Sequence, residues 1–204
     1  MKRFLLLLVF LSQLVFADDS YLIDDSLAMA RQGEFVRASN LIVDLANNGD
    51  STAQYVLSMY FRDPNALNIP EVGEMWLMRA AENNNAKAQY DLGWRLAAGW
   101  KNDTVEDIVE MIYWFERATF NGSDDAYANL ATLYENENRD VLAEMEVAAN
   151  DGNAMAQFNL GWINARGLMS SEGLMQDMDV AKAWFEKSAK LGFKDAVEVL
   201  KNNF

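Results

Sequence analysis

The chain of 204 residues contains no cysteine, no histidine and only two prolines. Without cysteine there are no disulfides, and an exported protein of this size must then be held by packing alone. The same two absences remove the usual zinc cages, the thiol nucleophile and the commonest general base. Basic residues are scarce: 17 Lys and Arg stand against 31 Asp and Glu, a net charge of −14. Such a charge repels phosphate backbones and anionic lipid, so nucleic acid and peripheral membrane binding are disfavoured, and a protein partner with a basic surface is favoured.

A long apolar run occurs at the N-terminus. Residues 1–17 read MKRFLLLLVFLSQLVFA, with Lys2 and Arg3 ahead of an apolar stretch from Phe4 to Phe16 and small residues Val15 and Ala17 before Asp18. This is the pattern of a secretory signal peptide cut after Ala17. The stretch is well short of the roughly 20 residues a spanning helix needs, and no cysteine follows it to take a lipid. The expectation is a mature protein in the periplasm or secreted, with no membrane insertion after cleavage. Losing Lys2 and Arg3 leaves 15 basic against 31 acidic residues and takes the charge to −16.

What fills the rest of the chain is repetition. A small residue is followed three places on by Gly or Asn, four further by Ala and four further by Leu. The frame occurs five times: Ala46, Gly49, Ala53, Leu57; Ala81, Asn84, Ala88, Leu92; Thr119, Gly122, Ala126, Leu130; Ala149, Gly152, Ala156, Leu160; and Ala189, Gly192, Ala196, Leu200. The Gly or Asn closes one helix in the left-handed conformation. The next residue, Asp50, Asn85, Ser123 or Asn153, caps a new helix with its side chain, and only Phe193 departs. Ala and Leu four apart share one helix face, the Ala allowing close contact and the Leu filling the core. A second block precedes three joints in the same register: WLMRAA from Trp76, WFERAT from Trp114 and WFEKSA from Trp184. Its Trp and the next Leu or Phe are expected to pack beside the small residues of the following helix.

Constant joints with variable connections predict helix pairs whose loops differ in length. A cap pair over 20–47 is followed by repeats over about 50–200, all in one domain from residue 18 to 204. The longest loop, Gly167 to Asp179, carries Leu168, Met169, Leu174, Met175 and Met178, and is either a binding loop or folded back on the core, the second being favoured because exposed methionines would form an apolar patch. The terminal Lys201, Asn202 and Asn203 make a polar end that would shield the stack.

The joints, with AQFNLGW at Ala156 to Trp162, AQYDLGW at Ala88 to Trp94, Gly99 and Gly167 eleven residues after each Ala, and the WFEKSA block, resemble the Sel-one-like repeat family, a relative of the tetratricopeptide repeats. The resemblance runs from about Asp50 to Leu200, with Asn84 and Thr119 in place of expected residues and a shortened unit between Gly122 and Gly152. It implies an all-α, right-handed α-solenoid of stacked antiparallel helix pairs that binds proteins or peptides, without a cofactor. Cysteine-rich exported members with penicillin-binding activity are a poor match. Small exported members also resemble immunity proteins that neutralise periplasm-targeted type VI secretion effectors such as phospholipases.

Catalysis would have to rest on carboxylates. Asp124 with Asp125, or Asp177 with Asp179, have the chemistry of a hydrolase pair or a calcium ligand set. Both pairs sit where a helix begins, and negative charge is expected there on dipole grounds alone. A carboxylate-dependent hydrolase is therefore the distant alternative to a non-catalytic binding protein. Counting from the Ala of each first helix, steps 3, 6, 7 and 10 are expected to turn outward, on the concave side. They place Asp91, Asn129 and Asn159, then Trp94 and Trp162, then Arg95 and Arg166 in a candidate partner-binding row, although the two Trp equally suit packing between units.

Overall fold

The structure, a computed structural model, describes residues 19–99, 104–135, 140–167 and 176–204. The proposed leader and most of the methionine-bearing loop lie outside the described residues. Among those described there are eleven helices and no strand: α1 Ser20–Ala30, α2 Phe35–Asn47, α3 Ser51–Arg62, α4 Pro70–Glu82, α5 Ala86–Gly99, α6 Val105–Phe120, α7 Asp124–Tyr134, α8 Val141–Asn150, α9 Ala154–Arg166, α10 Met178–Lys190 and α11 Lys194–Asn203. They form an all-α solenoid architecture of helix pairs. Pro70 opens α4, because a first-turn amide needs no helical partner. The chain divides into two compact units, one ending at Asn83 and the other beginning at Asn84.

All five expected joints form as helix ends in the left-handed conformation, with φ of 97° at Gly49, 64° at Asn84, 93° at Gly122 and Gly152, and 85° at Gly192. Around Gly49 the closing bonds run from Gly49 N to Ala46 O (3.1 Å) and from Asp50 N to Leu45 O (3.0 Å), satisfying carbonyls the helix end leaves free. The cap then starts the next helix. Asp50, Asn85, Ser123 and Asn153 each accept from the amide of the frame's Ala at 2.7, 3.0, 3.2 and 3.0 Å, and Phe193 makes no such bond. Each cap contributes about 1 kcal/mol.

At three of the five joints a glutamine beside that Ala ties the joint from inside. Buried Gln54 and Gln157 donate Nε2 to the carbonyls of Ala46 and Ala149, each at 2.8 Å. In the first unit, Gln54 Oε1 accepts from Asn83 Nδ2 (2.9 Å), and in the second, Gln89 Oε1 accepts from Asn121 Nδ2 (2.9 Å). Asn83 and Asn121 sit just before the next joint closes, so one joint is bonded to the following one. Leu191 occupies that slot in the last copy, in the same backbone conformation but with no donor. Gln157 Oε1 is left buried without a partner.

The first unit packs Ile23, Ala38, Ile42, Ala46, Ala53, Val56, Leu57, Tyr60 and Trp76 into one core, with Ser26 Oγ donating to Ala38 O at 2.9 Å. In the second unit the core joins Ile108, Ile112 and Phe115 of α6 to Leu130 of α7, Met145 of α8 and Leu160 of α9. Small residues set the spacing here. A Cβ on Gly93 would lie 2.7 Å from the Phe115 ring, and one on Gly161 would lie 2.4 Å from the Phe185 ring, so each second-helix Phe rests on backbone. The block's Phe thus packs on a glycine of the preceding helix, α5 or α9, and not on the following helix as expected, because the two helices of one pair make the closest approach. Because α7 and α8 form a short pair, α9 also meets α6 directly.

Two outcomes follow for stability. Leu191→Asn, at an exposed position, should raise the unfolding free energy by about 1 kcal/mol by giving Gln157 its missing donor, measured as a higher urea midpoint. Gly161→Ala should lower it by about 1–2 kcal/mol despite the better helix propensity of Ala, because buried Phe185 has no room to retreat.

Candidate functional site

The candidate row does not form one surface. Trp94 is 52% exposed and stacks on Tyr90 with ring centroids 6.3 Å apart, Arg95 is exposed and Asp91 is half-buried, both engaged with neighbours. Asn129 is half-buried and donates to the Tyr90 hydroxyl at 3.3 Å. The members on α9 behave differently. Asn159 is fully buried and donates Nδ2 to Val109 O at 2.8 Å, so its expected outward orientation is corrected: α6 lies on that face of α9. Arg166 turns back to pair with buried Glu116 and stands 5.1 Å over the Trp162 ring. Trp162 is half-buried among Phe120, Phe158 and Phe185, at centroid distances of 5.3, 6.3 and 5.5 Å.

Where Trp162 does reach the surface it faces a cavity of about 220 Å³ in the second unit. Three helices build it. The end of α6 supplies Arg117, Phe120 and Asn121, α9 supplies Phe158 and Trp162, and α11 supplies Asp195, Glu198, Val199, Asn202 and Asn203, with Asn84 from the turn before α5. Phe120 is 64% exposed. The position after the frame's small residue is Asn47, Glu82, Asn150 and Lys190 in the other copies, so one aromatic there is the sequence signal that was missed. Asn202 and Asn203, read as a polar end, are cavity wall.

The electrostatics of this groove are set by Arg117. The equivalent cations of the other blocks lie over their own Trp, Arg79 at 4.9 Å from Trp76 and Lys187 at 3.7 Å from Trp184. Arg117 instead reaches Asp195 as an ion pair, donates to the Tyr113 hydroxyl at 2.8 Å and donates to Asn84 Oδ1 at 2.6 Å. Tyr113 in turn donates to Asp195 at 2.8 Å, and burial pushes its phenol well above the ordinary value. These bonds pin α11 to α6.

Behind the groove stands the Glu116–Arg166 pair. Burial pushes the Glu116 carboxyl up to about 7, against the opposing pull of Arg166 and the adjacent Tyr134 hydroxyl. The geometry is incomplete, since Glu116 Oε1 and Tyr134 Oη are buried without an aligned partner. The pair ties α6 to the end of α9, with the Tyr134 hydroxyl of α7 adjacent. Among the described residues no group of three or more acidic side chains is placed to hold a metal. No described helix is long and apolar enough to cross a membrane.

A helical-repeat protein with an aromatic-floored groove is the class these features define. Residues 86–119 and 154–193 match the Sel1 repeat family model, so the chain carries Sel1-like repeats in those two stretches. The matched stretches are α5–α6 and α9–α10, the two pairs in which a glycine carries a Phe ring. Similar solved structures include a Sel1 repeat protein from Oxalobacter formigenes, with 29% identity, a TM-score of 0.41 and coverage of 81% of this chain and 48% of that one. Another is a protective antigen present in uropathogenic Escherichia coli strains and displaying an SLR fold, with 26% identity, a TM-score of 0.41 and coverage of 79% and 35%. The chain thus spans less than half the length of either. No curated protein matches it. Sel1 repeat proteins are generally protein–protein interaction modules and typically non-catalytic scaffolds.

The Glu116 tie has a pH signature. The folded protein retains a proton that the unfolded chain releases near the ordinary value of 4.5, so stability falls as pH rises from about 4.5 to about 7, by at most about 1.4 kcal/mol per unit. Urea denaturation of the native chain and Glu116→Gln at several pH values should show this slope in the first and its loss in the second.

Proposed function

We propose that the chain is an exported, non-catalytic interaction module that binds a protein with a basic surface, in the periplasm or envelope, through the groove of its second unit. The exposed Phe120 beside Trp162 carries the reading, because an uncovered aromatic at the mouth of a cavity is the usual composition of an interface anchor. Export is supported by the basic and apolar pattern of residues 1–17. The acidic balance supports a basic partner, whose association should slow with salt as screening shortens to about 8 Å. A dedicated inhibitor of a periplasm-targeted effector, such as a phospholipase, is a narrower form of the same reading and differs in the partner captured. Exposed Trp94 on α5 is a separate contact point for a large partner.

Affinity capture from envelope extract, followed by titration of the captured protein, tests this. Phe120→Ala should weaken binding about tenfold or more with an unchanged melting temperature. Trp162→Ala should weaken binding and also melt early, by about 2 kcal/mol, since its ring is shared with the core. Trp94→Ala should melt like the native chain. Full binding by Phe120→Ala would reject the groove.

A further inference from the structure

The groove is selective for one kind of side chain, and this inference rests on the interaction-module reading above. At about 220 Å³ the cavity falls below the roughly 300–1,000 Å³ of small-molecule sites, so it suits a single inserted side chain. Its walls are unequal in charge. Arg117 is the only cation among the lining residues, and its guanidinium is already committed to Asp195, Tyr113 and Asn84. Glu198, on the exposed side of α11, adds a second carboxylate. Helix α11 ends at the lining residues Asn202 and Asn203, which brings the negative end of its dipole to the same place. Phe120 contributes an exposed ring face, which attracts cations, beside Trp162, whose own ring already carries Arg166. An anionic side chain would meet Glu198 and the helix end, and a neutral apolar one would leave both uncompensated.

We propose that the groove between α6, α9 and α11 is a receptor for a lysine or arginine side chain presented by a segment of the partner protein, with the cation held over the exposed Phe120 ring, at the rim beside Trp162, and against Glu198.

The test uses the purified full chain, isotopically labelled, and two capped probe peptides, acetyl-Gly-Arg-Gly-amide and acetyl-Gly-Glu-Gly-amide, at low salt. The arginine peptide should shift the Trp162 indole and the Asn121 and Asn202 side-chain amide signals saturably, and the glutamate peptide should leave them in place. Glu198→Gln should weaken the arginine peptide about threefold. Phe120→Leu, which keeps apolar surface but loses the ring face, should weaken it about two- to fivefold, the effect of one exposed cation–ring contact. Equal shifts with both peptides, shifts away from the groove, or full affinity in Glu198→Gln would overturn the cation receptor. If the captured partner still depends on Phe120 in that event, the interaction module stands and only its selectivity is wrong. If the partner ignores Phe120 as well, both readings fall.

Discussion

A buried glutamine amide beside three of the five tight joints, at Gln54, Gln89 and Gln157, is the constraint on which the rest of the molecule depends. A joint made only of glycine and a cap would let two helices meet at a range of angles. Gln54 and Gln157 narrow that range by bonding back to the last turn of the preceding helix, and Gln54 and Gln89 extend the link to the next joint through Asn83 and Asn121. An amide held in this way in a dry interior is costly to misplace, because a stranded polar group loses its water without replacement. Helix orientation is therefore fixed by polar groups, and the apolar residues fill the space those groups define. The Phe rings over Gly93 and Gly161 show the second half of this division: the close approach is permitted by the absence of a side chain.

The groove inherits its shape from that arrangement. Trp162 is positioned by Phe158 and Phe185 from below and Phe120 from the side, and Arg166 holds its ring face from the Glu116 direction. One Trp thus belongs to core and surface at once. Trp94, at the same step of its own helix, has its ring against Tyr90 and is 52% exposed.

The joints were legible in the sequence because each is local: a left-handed residue, a cap and an Ala four residues on follow from nearest-neighbour chemistry, and the bonds of Asp50, Asn85, Ser123 and Asn153 match it side chain by side chain. Burial was legible for the same reason at Leu57, Phe115 and Phe185. The row of outward residues was not, because a step along a helix gives a direction but not what stands in that direction. Asn159 points where the pattern says, and α6 is there. The groove was also hidden, since Arg117 and Asp195 lie 78 residues apart and no periodicity links them. Phe120 alone carried a local trace, as an aromatic in a slot that is polar in every other copy.

Arrays of helical repeats ordinarily touch only their neighbours, and so tolerate gaining or losing a module. The second unit does not have that freedom. Arg117 and Tyr113 on α6 clasp Asp195 on α11 across the intervening pairs, which makes the segment a closed circuit. Inserting one more repeat between them would carry Asp195 out of reach, leave Arg117 without its counter-charge and Tyr113 without its acceptor, and open the wall of the groove. Copy number in this unit is therefore a property under geometric control, so its descendants are expected to vary by substitution along the groove and not by duplication within it.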